Sequence, residues 1–299
     1  MRICLSGVTP VEKQYWLNHL VAPRPIALAS TVNGRGQVNL SPFSFFNVFS
    51  IEPAILIFSP SRRLRDGSIK HTLENILEVP EVVINMVSYA MVQQVSLASC
   101  EYASGVDEFV KSGLTKVAAF QVRPPLVGES PASFECKVLE VKTLGDGAGA
   151  GQLVIAEVLW IHVKQDLLDT EGKVDARKLD LVARLGDNWY ARVRAENLFS
   201  VEKPNRRTGI GMDALPSHVR NSETLTGNHL AMLANVSEVP ALDVAFTDVE
   251  LKALGRDLDG ESRRKKMEAY VGLLLDKGKP DEAWQVLLRM GNDRIKYCL

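Results

Sequence analysis

The sequence predicts a mainly β domain with peripheral helices over residues 1–200, followed by a helical extension over residues 201–299. Three observations carry that expectation. Apolar and β-branched runs at 24–32, 53–58 and 81–87 are bounded by Gly, Asn, Ser and Pro, which is the pattern of short strands. Two longer alternating runs, 132–144 and 152–164, flank the glycine-rich stretch 145–151 and read as a hairpin. Beyond about Leu198 the strand patterns cease, and helix caps with apolar stripes replace them.

A chain of 299 residues with 46% hydrophobic residues can build one or two domains with a sizeable core. Lys+Arg 35 against Asp+Glu 36 gives a formal net charge of -1, so no global field draws the chain to nucleic acid or to an anionic membrane. Cys4, Cys100, Cys136 and Cys298 are scattered, with no CxxC pair and no histidine at ligand spacing. That argues against structural zinc and a disulfide framework, and for reduced thiols in a cytoplasm. No run reaches the ~18 apolar residues of a membrane span, so a soluble protein without a cleaved signal is expected.

In chain order, Thr9-Pro10-Val11-Glu12 places a capping hydroxyl, a first-turn proline and a glutamate three after the cap, predicting a helix to about Leu20. Residues 24–32 read as a strand, and Asn33-Gly34 with Gly36 supplies turn residues that tolerate positive φ. The partner strand is then Asn39-Leu40-Ser41-Pro42-Phe43-Ser44-Phe45-Phe46-Asn47. Its aromatics, hydroxyls and proline are an unusual mixture for a buried strand. Pro42 is tolerated only at an edge or a bulge, where neighbouring amides are left for a ligand, and the mixture suits a flat heteroaromatic cofactor. The alternative is a core strand with incidental serines.

The strand at 53–58 runs into a basic loop, residues 59–68, holding Arg62, Arg63 and Arg65. Ser68 is placed to cap a helix carrying Lys70, Thr72 and Asn75, with Leu73, Ile76 and Leu77 inward. Such runs are commonly solvated loops, but a helix start beside three arginines is also an anion site, and the serine-rich strand nearby favours that reading. After the strand at 81–87, Ser88 is expected to cap a helix to about Cys100 with Val92 and Val95 at helical spacing. Residues 101–127 are irregular, with Gly105, Gly113 and Pro124-Pro125, and long enough to cover a site.

The glycines at 145–151 precede a strand rather than a helix, so they form a hairpin tip and not a dinucleotide fingerprint. The stretch 272–279 is one residue too long for a phosphate loop and has Pro280 where a hydroxyl should follow. Residues 202–209 read as a linker. Thr247-Asp248-Val249-Glu250 reads as a capping box, Met267, Tyr270, Val271, Leu274 and Leu275 form a helical stripe, and a last helix runs through Met290. Arg263-Arg264-Lys265-Lys266 lacks interleaved aromatics and reads as a wet helix face.

Several segments together resemble the flavin reductase-like family with an FMN-binding split β-barrel, which includes flavoredoxins and reductase components of two-component monooxygenases. They are RPIALAST at 24–31, NLSPFSFFN at 39–47, SPSRR at 59–63 with KHTLEN at 70–75, GVDEF at 105–109, SPASFEC at 130–136, and the IHV and RLG segments. The resemblance covers roughly residues 10–200, and residues 218–236 look like the tail of longer members. It implies that Ser30, Thr31, Ser41, Pro42, Phe43 and Ser44 line the flavin ring and ribityl chain. Ser59, Arg62, Arg63, Lys70 and Thr72 would hold the phosphate. Members usually carry KDT where this chain has Lys70-His71-Thr72, so a carboxylate is missing and His71 is expected in solvent.

Arg184 and Tyr190 would lie beside the nicotinamide, with ordinary barrel closure as their other reading. His162 and Cys136 read as structural residues. The implied activity is hydride transfer from NADH or NADPH to flavin N5, chemistry carried by cofactors and needing no acid–base triad. An FMN electron-transfer protein of flavoredoxin type without nicotinamide turnover is the alternative, and a pyridoxine-oxidase-like enzyme a third. A homodimer and a partner monooxygenase or electron-transfer protein are expected by analogy.

Overall fold

Two strands that follow one another in the chain but lie at opposite edges of one sheet force that sheet to curl, and the first half of this protein is built on that constraint. The computed structural model describes residues 1–201, 208–254 and 260–293. It forms two compact units, Met1–Phe199 and Ser200–Leu299.

In the first unit, α1 (Pro10–Leu20) starts at the expected capping box, in which the Thr9 hydroxyl accepts from the Glu12 amide and the Glu12 carboxylate accepts from the Thr9 amide. Then come β1 (Ala27–Val32), β2 (Val38–Phe43), β3 (Phe46–Ser50) and β4 (Ile55–Phe58). After α2 (His71–Glu78) and β5 (Glu81–Met86) lie two short helices, α3 (Val92–Ala98) and α4 (Glu108–Ser112). The strand pair β6 (Lys116–Val117) and β7 (Leu126–Val127) precedes the long hairpin of β8 (Ala132–Thr143) and β9 (Gln152–Val163). A small hairpin, β10 (Val182–Arg184) and β11 (Tyr190–Arg192), completes the unit.

Seven strands pair antiparallel in the order β2-β1-β5-β8-β9-β4-β3. Laid flat, the outer strands would stand roughly 30 Å apart at ~4.8 Å per strand. Phe43 ends β2 and Phe46 begins β3, and three residue steps span at most about 11 Å. The sheet therefore wraps into a barrel whose seam is bridged by Ser44-Phe45 rather than by a strand ladder. The stretch expected to be one strand is thus two, placed on either side of the seam.

The barrel interior holds Ala27, Ala29, Phe43, Phe58, Ile84, Val154 and Ala156, closed by Leu73 and Ile76 of α2. Outside β1, the side chains of Ile26 and Leu28 pack with Met91, Val95 and Phe109 from the α3 and α4 region. Both faces of β1 are covered, which is why all six of its residues are buried. Pro42 sits, as expected, on an edge strand, opposite Leu28. Leu40 has the same outward parity, and its amide donates to the Glu108 carboxylate at 3.0 Å. A proline and a carboxylate thus blunt this edge against further pairing.

Some local expectations differ. Lys70, not Ser68, is the N-cap of α2 and supplies no side-chain cap, while the Ser68 hydroxyl is engaged by Asp66. Leu77 is exposed: it lies in the last turn of α2, at the margin of the buried face formed by Thr72, Leu73, Asn75 and Ile76. Ser88 makes no side-chain cap, and a 3-10 turn, Tyr89–Met91, precedes α3.

The second unit contains α5 (Ser217–Arg220), α6 (Gly227–Ala234), α7 (Val249–Leu254), α8 (Gly260–Asp276) and α9 (Pro280–Asp293). The expected stripe is there: Met267, Val271, Leu274 and Leu275 are buried against Leu230, Leu233, Trp284 and Leu287. Asp248 caps α7 through the Leu251 amide, one residue later than the expected Thr247. Of the expected linker, residues 202–207 lie outside the described residues.

Candidate functional site

The β2 exit and the β10–β11 hairpin meet around a cavity of about 710 Å³. Pro42, Phe43 and Ser44 line it from the seam, Arg184 and Tyr190 from the hairpin, and Tyr89 from the turn before α3. Arg24 holds these parts together. Its backbone forms a two-bond bridge with Arg184 at 2.9 and 2.8 Å. Its buried guanidinium donates to the carbonyls of Asn18, Val21 and Leu185, and reaches the Ser44 hydroxyl at 3.5 Å. Burial first, and the Arg184 charge second, lower the Arg24 pKa.

The turn of the hairpin depends on Gly186. A Cβ there would meet the His19 ring at 2.1 Å, and the His19 imidazole bonds the Tyr15 carbonyl at 2.7 Å while facing Asp187 at 3.3 Å. Helix α1 is thereby seated on the hairpin. Across the cavity rim the Arg184 guanidinium stacks 4.6 Å from the Tyr190 ring centre, and Arg192 stacks 3.7 Å from that of Tyr89. Arg192 is neutralised by a two-bond pair with Asp180. Arg184 bonds only the Trp189 carbonyl among the described residues and keeps its charge available.

A second cluster lies at the start of α2. Arg62 donates to the Gly67 carbonyl at 3.1 Å, and Arg63 to the Ser68 hydroxyl at 3.0 Å and to the Ile69 carbonyl. The Nε atoms of both are buried without a hydrogen-bond acceptor; that of Arg63 lies 3.4 Å from a Glu101 carboxylate oxygen in poor bonding geometry. Lys70 is partly buried, and burial, then Arg63, lower its pKa. No side chain caps the α2 N-terminus. Positive groups are thus gathered and partly desolvated with too few acceptors, an arrangement suited to an oxyanion.

The two clusters are linked through the seam, since the Ser59 amide donates to the Phe45 carbonyl at 2.8 Å. Ser59, Thr72, Ser30 and Thr31 lie under the surface. The Ser59 hydroxyl accepts from the Gln152 amide, Thr72 from Asn39, and Thr31 from Asn75, while the Ser30 hydroxyl is fully buried without a partner. Ser41 is half-buried on β2. The structure therefore brings Pro42, Phe43, Ser44, Arg184 and Tyr190 to one cavity and Arg62, Arg63 and Lys70 to one cluster, while Ser30, Thr31, Ser41, Ser59 and Thr72 do not line that cavity.

Arg24 and Glu108 are organising residues that carried no role in the sequence reading. Both sat in quoted segments, RPIALAST and GVDEF. Burial raises the Glu108 pKa above the usual carboxylate range, while the Leu40 amide opposes that shift. His162, read as structural, bonds Glu135 at 2.6 Å; Cys136 is buried, its thiol pushed up to about 12 by that burial. No helix of the described residues is long and apolar enough to cross a membrane.

Known proteins are similar to this chain in sequence or in fold. A protein of Halalkalibacterium halodurans, BH2278, is 35% identical over 206 residues, covering 68% of this chain and 97% of its own. The crystal structure of nitrilotriacetate monooxygenase component B from Bacillus cereus superposes with a TM-score of 0.63 at 25% identity, covering 67% of this chain and 98% of that one. A split-barrel protein of Shewanella frigidimarina NCIMB 400 gives a TM-score of 0.58 at 24% identity over 68% of this chain and 99% of its own, so the curled sheet is a split barrel. Residues 20–178 match the model of the flavin reductase like domain, and the chain belongs to that family.

Proposed function

We propose that this protein binds flavin mononucleotide and reduces flavin with NADH or NADPH. The observation that carries the reading is the pair of buried Arg62 and Arg63 Nε atoms without hydrogen-bond acceptors, beside Lys70 and the uncapped start of α2. A phosphate monoester fits this donor set: it carries about -1.5 to -2 charges near pH 7 and several acceptor oxygens. Arg62, Arg63, Lys70 and the first-turn amides of α2 would hold the phosphate, with Ser59 and Thr72 behind them. Ser41, Pro42, Phe43 and Ser44 would lie along the ring and ribityl chain, supported by Ser30 and Thr31. The bound flavin would supply two-electron redox chemistry.

The chain's own residues then have binding and positioning tasks. Arg184 and Tyr190 form a flat, cationic wall that suits the electron-rich and anionic parts of a nicotinamide nucleotide. Arg24 fixes the distance between that wall and Ser44. Neither role requires a proton-transfer group, which agrees with the absence of an acid–base pair among the residues lining the cavity. Similarity to a monooxygenase component supports a partner oxygenase as the consumer of reduced flavin. A homodimer in the cytoplasm completes the proposal.

The test is direct. Protein loaded with flavin mononucleotide is mixed anaerobically with NADH and, separately, NADPH. Rapid loss of the flavin absorbance with one or both supports a reductase. If the flavin stays oxidised with both yet accepts electrons from a reduced protein donor, the chain is an electron-transfer flavoprotein of flavoredoxin type.

A further inference from the structure

The phosphate cluster already contains an anion supplied by the protein. Glu101, in the strap between α3 and α4, directs one carboxylate oxygen to Arg63 Nε at 3.4 Å and the other to Arg65 at 2.8 Å. Arg65 also pairs with one oxygen of the exposed Asp66 carboxylate at 3.2 Å, while the other accepts from the Ser68 amide and hydroxyl, which hold the Asp66 pKa down to about 2. Four cations, Arg62, Arg63, Arg65 and Lys70, therefore face two carboxylates. Of these two only Glu101 comes from outside the loop and is free to leave it.

The strap is built to let Glu101 move. Its ends are fixed by α3 and by the Asp107 cap of α4, while between them the backbone makes only local turn bonds, Tyr102 to Cys100 and Val106 to Ala103. Gly105 has positive φ and lies against Gln37. Among the described residues, the ion pairs of Glu101 are the only bonds joining residues 99–106 to the basic loop. Burial and Arg63 lower the Lys70 pKa, and Glu101 raises it, so its charge is felt across the cluster.

We infer that Glu101 is an internal rival for the flavin phosphate: it occupies Arg63 when the site is empty, must be displaced on binding, and so makes the flavin exchangeable rather than permanently held. This rests on the proposal that a flavin phosphate binds at Arg62, Arg63 and Lys70. A ligand that must expel a charged side chain loses part of its binding energy and gains a faster exit, because the carboxylate returns as the phosphate leaves. The site would thus serve a reductase that hands on a diffusible flavin.

The experiment compares the full-length wild type with Glu101→Gln and Lys70→Met. Binding and dissociation of flavin mononucleotide and of riboflavin, which lacks the phosphate, are followed by flavin fluorescence. Glu101→Gln is expected to tighten flavin mononucleotide binding about 3- to 10-fold, the scale of a partly exposed charge interaction, chiefly through slower dissociation. Riboflavin affinity should stay the same. In the wild type, flavin mononucleotide but not riboflavin should increase hydrogen exchange in residues 99–106. Unchanged or weaker binding of flavin mononucleotide by Glu101→Gln would overturn the inference, as would increased protection of the strap. Lys70→Met separates the two ideas: if it fails to weaken flavin mononucleotide relative to riboflavin, the phosphate site itself is misplaced. If it does weaken it while Glu101→Gln has no effect, only the rivalry is wrong.

Discussion

Glu135→Gln isolates the strongest polar clamp in the barrel. Glu135 is fully buried on β8, and its carboxylate accepts from the amides of Phe120 at 2.7 Å, Gln121 at 2.7 Å and Val122 at 3.2 Å, and bonds His162 at 2.6 Å. Burial alone would raise its pKa, but these bonds outweigh it and the net shift is downward. Glutamine keeps the shape, yet turns an NH2 toward groups that are themselves donors. Several bonds to a charge, each worth about 1.5–3 kcal/mol, become neutral, and at least one donor loses its acceptor. Because the Phe120 and Gln121 amides are only partly buried and can regain water, the expected loss is about 3 kcal/mol rather than the full sum.

A carboxylate with a depressed folded pKa contributes its stability above the unfolded pKa of ~4.3 and loses it as the pH falls through the lower folded value. The difference between wild type and Glu135→Gln should therefore be constant above about pH 5 and shrink below about pH 4. Urea unfolding at several pH values, with hydrogen exchange of residues 118–125 as the local readout, measures both. A variant within about 0.5 kcal/mol of wild type, with unchanged protection of those amides, would refute the clamp.

Changing Arg63 and Lys70 together to alanine should weaken flavin mononucleotide binding by about 2–4 kcal/mol, on the order of 30- to 1,000-fold in Kd, while riboflavin binding changes little in a fluorescence titration. Arg184→Met removes the guanidinium from Tyr190 and should slow anaerobic flavin reduction about 5- to 10-fold through a weaker nicotinamide complex, with flavin affinity retained. Gly186→Val forces the His19 ring out of its seat between α1 and the hairpin, and should lower the melting temperature by about 3–6 °C by calorimetry. Iodoacetamide should label the exposed Cys4 and Cys100 in the native protein and leave Cys136 unmodified until unfolding, since burial keeps its thiol protonated.

Local chemistry made much of the barrel legible. The Thr9–Glu12 box, the Asn33–Gly36 turn and the alternation of the β8–β9 hairpin each depend on residues close in sequence, and each forms as read. The seam did not announce itself: residues 39–47 look continuous because aromatics fill both sides of the break. Only the position of β3 against β4, settled by distant pairing with β9, separates the halves. The cap of α2 was misplaced for a related reason, since Asp66 claims the Ser68 hydroxyl first. For the site, the residue types Pro42, Ser44, Arg62, Arg63 and Lys70 were visible as a local mixture. Arg24, Glu101 and Glu135 were not, because each acts through at least one partner far along the chain, Leu185 for Arg24, Arg65 for Glu101 and His162 for Glu135, and no spacing rule points to them.

Co-crystallisation with flavin mononucleotide tests the central proposal most directly. The phosphate should lie on Arg63, Lys70 and the first-turn amides of α2, with the ring against Pro42, Phe43 and Ser44 and facing Arg184. A phosphate found elsewhere on the barrel, or a seam cavity closed by the protein's own side chains in the presence of excess flavin, would contradict it.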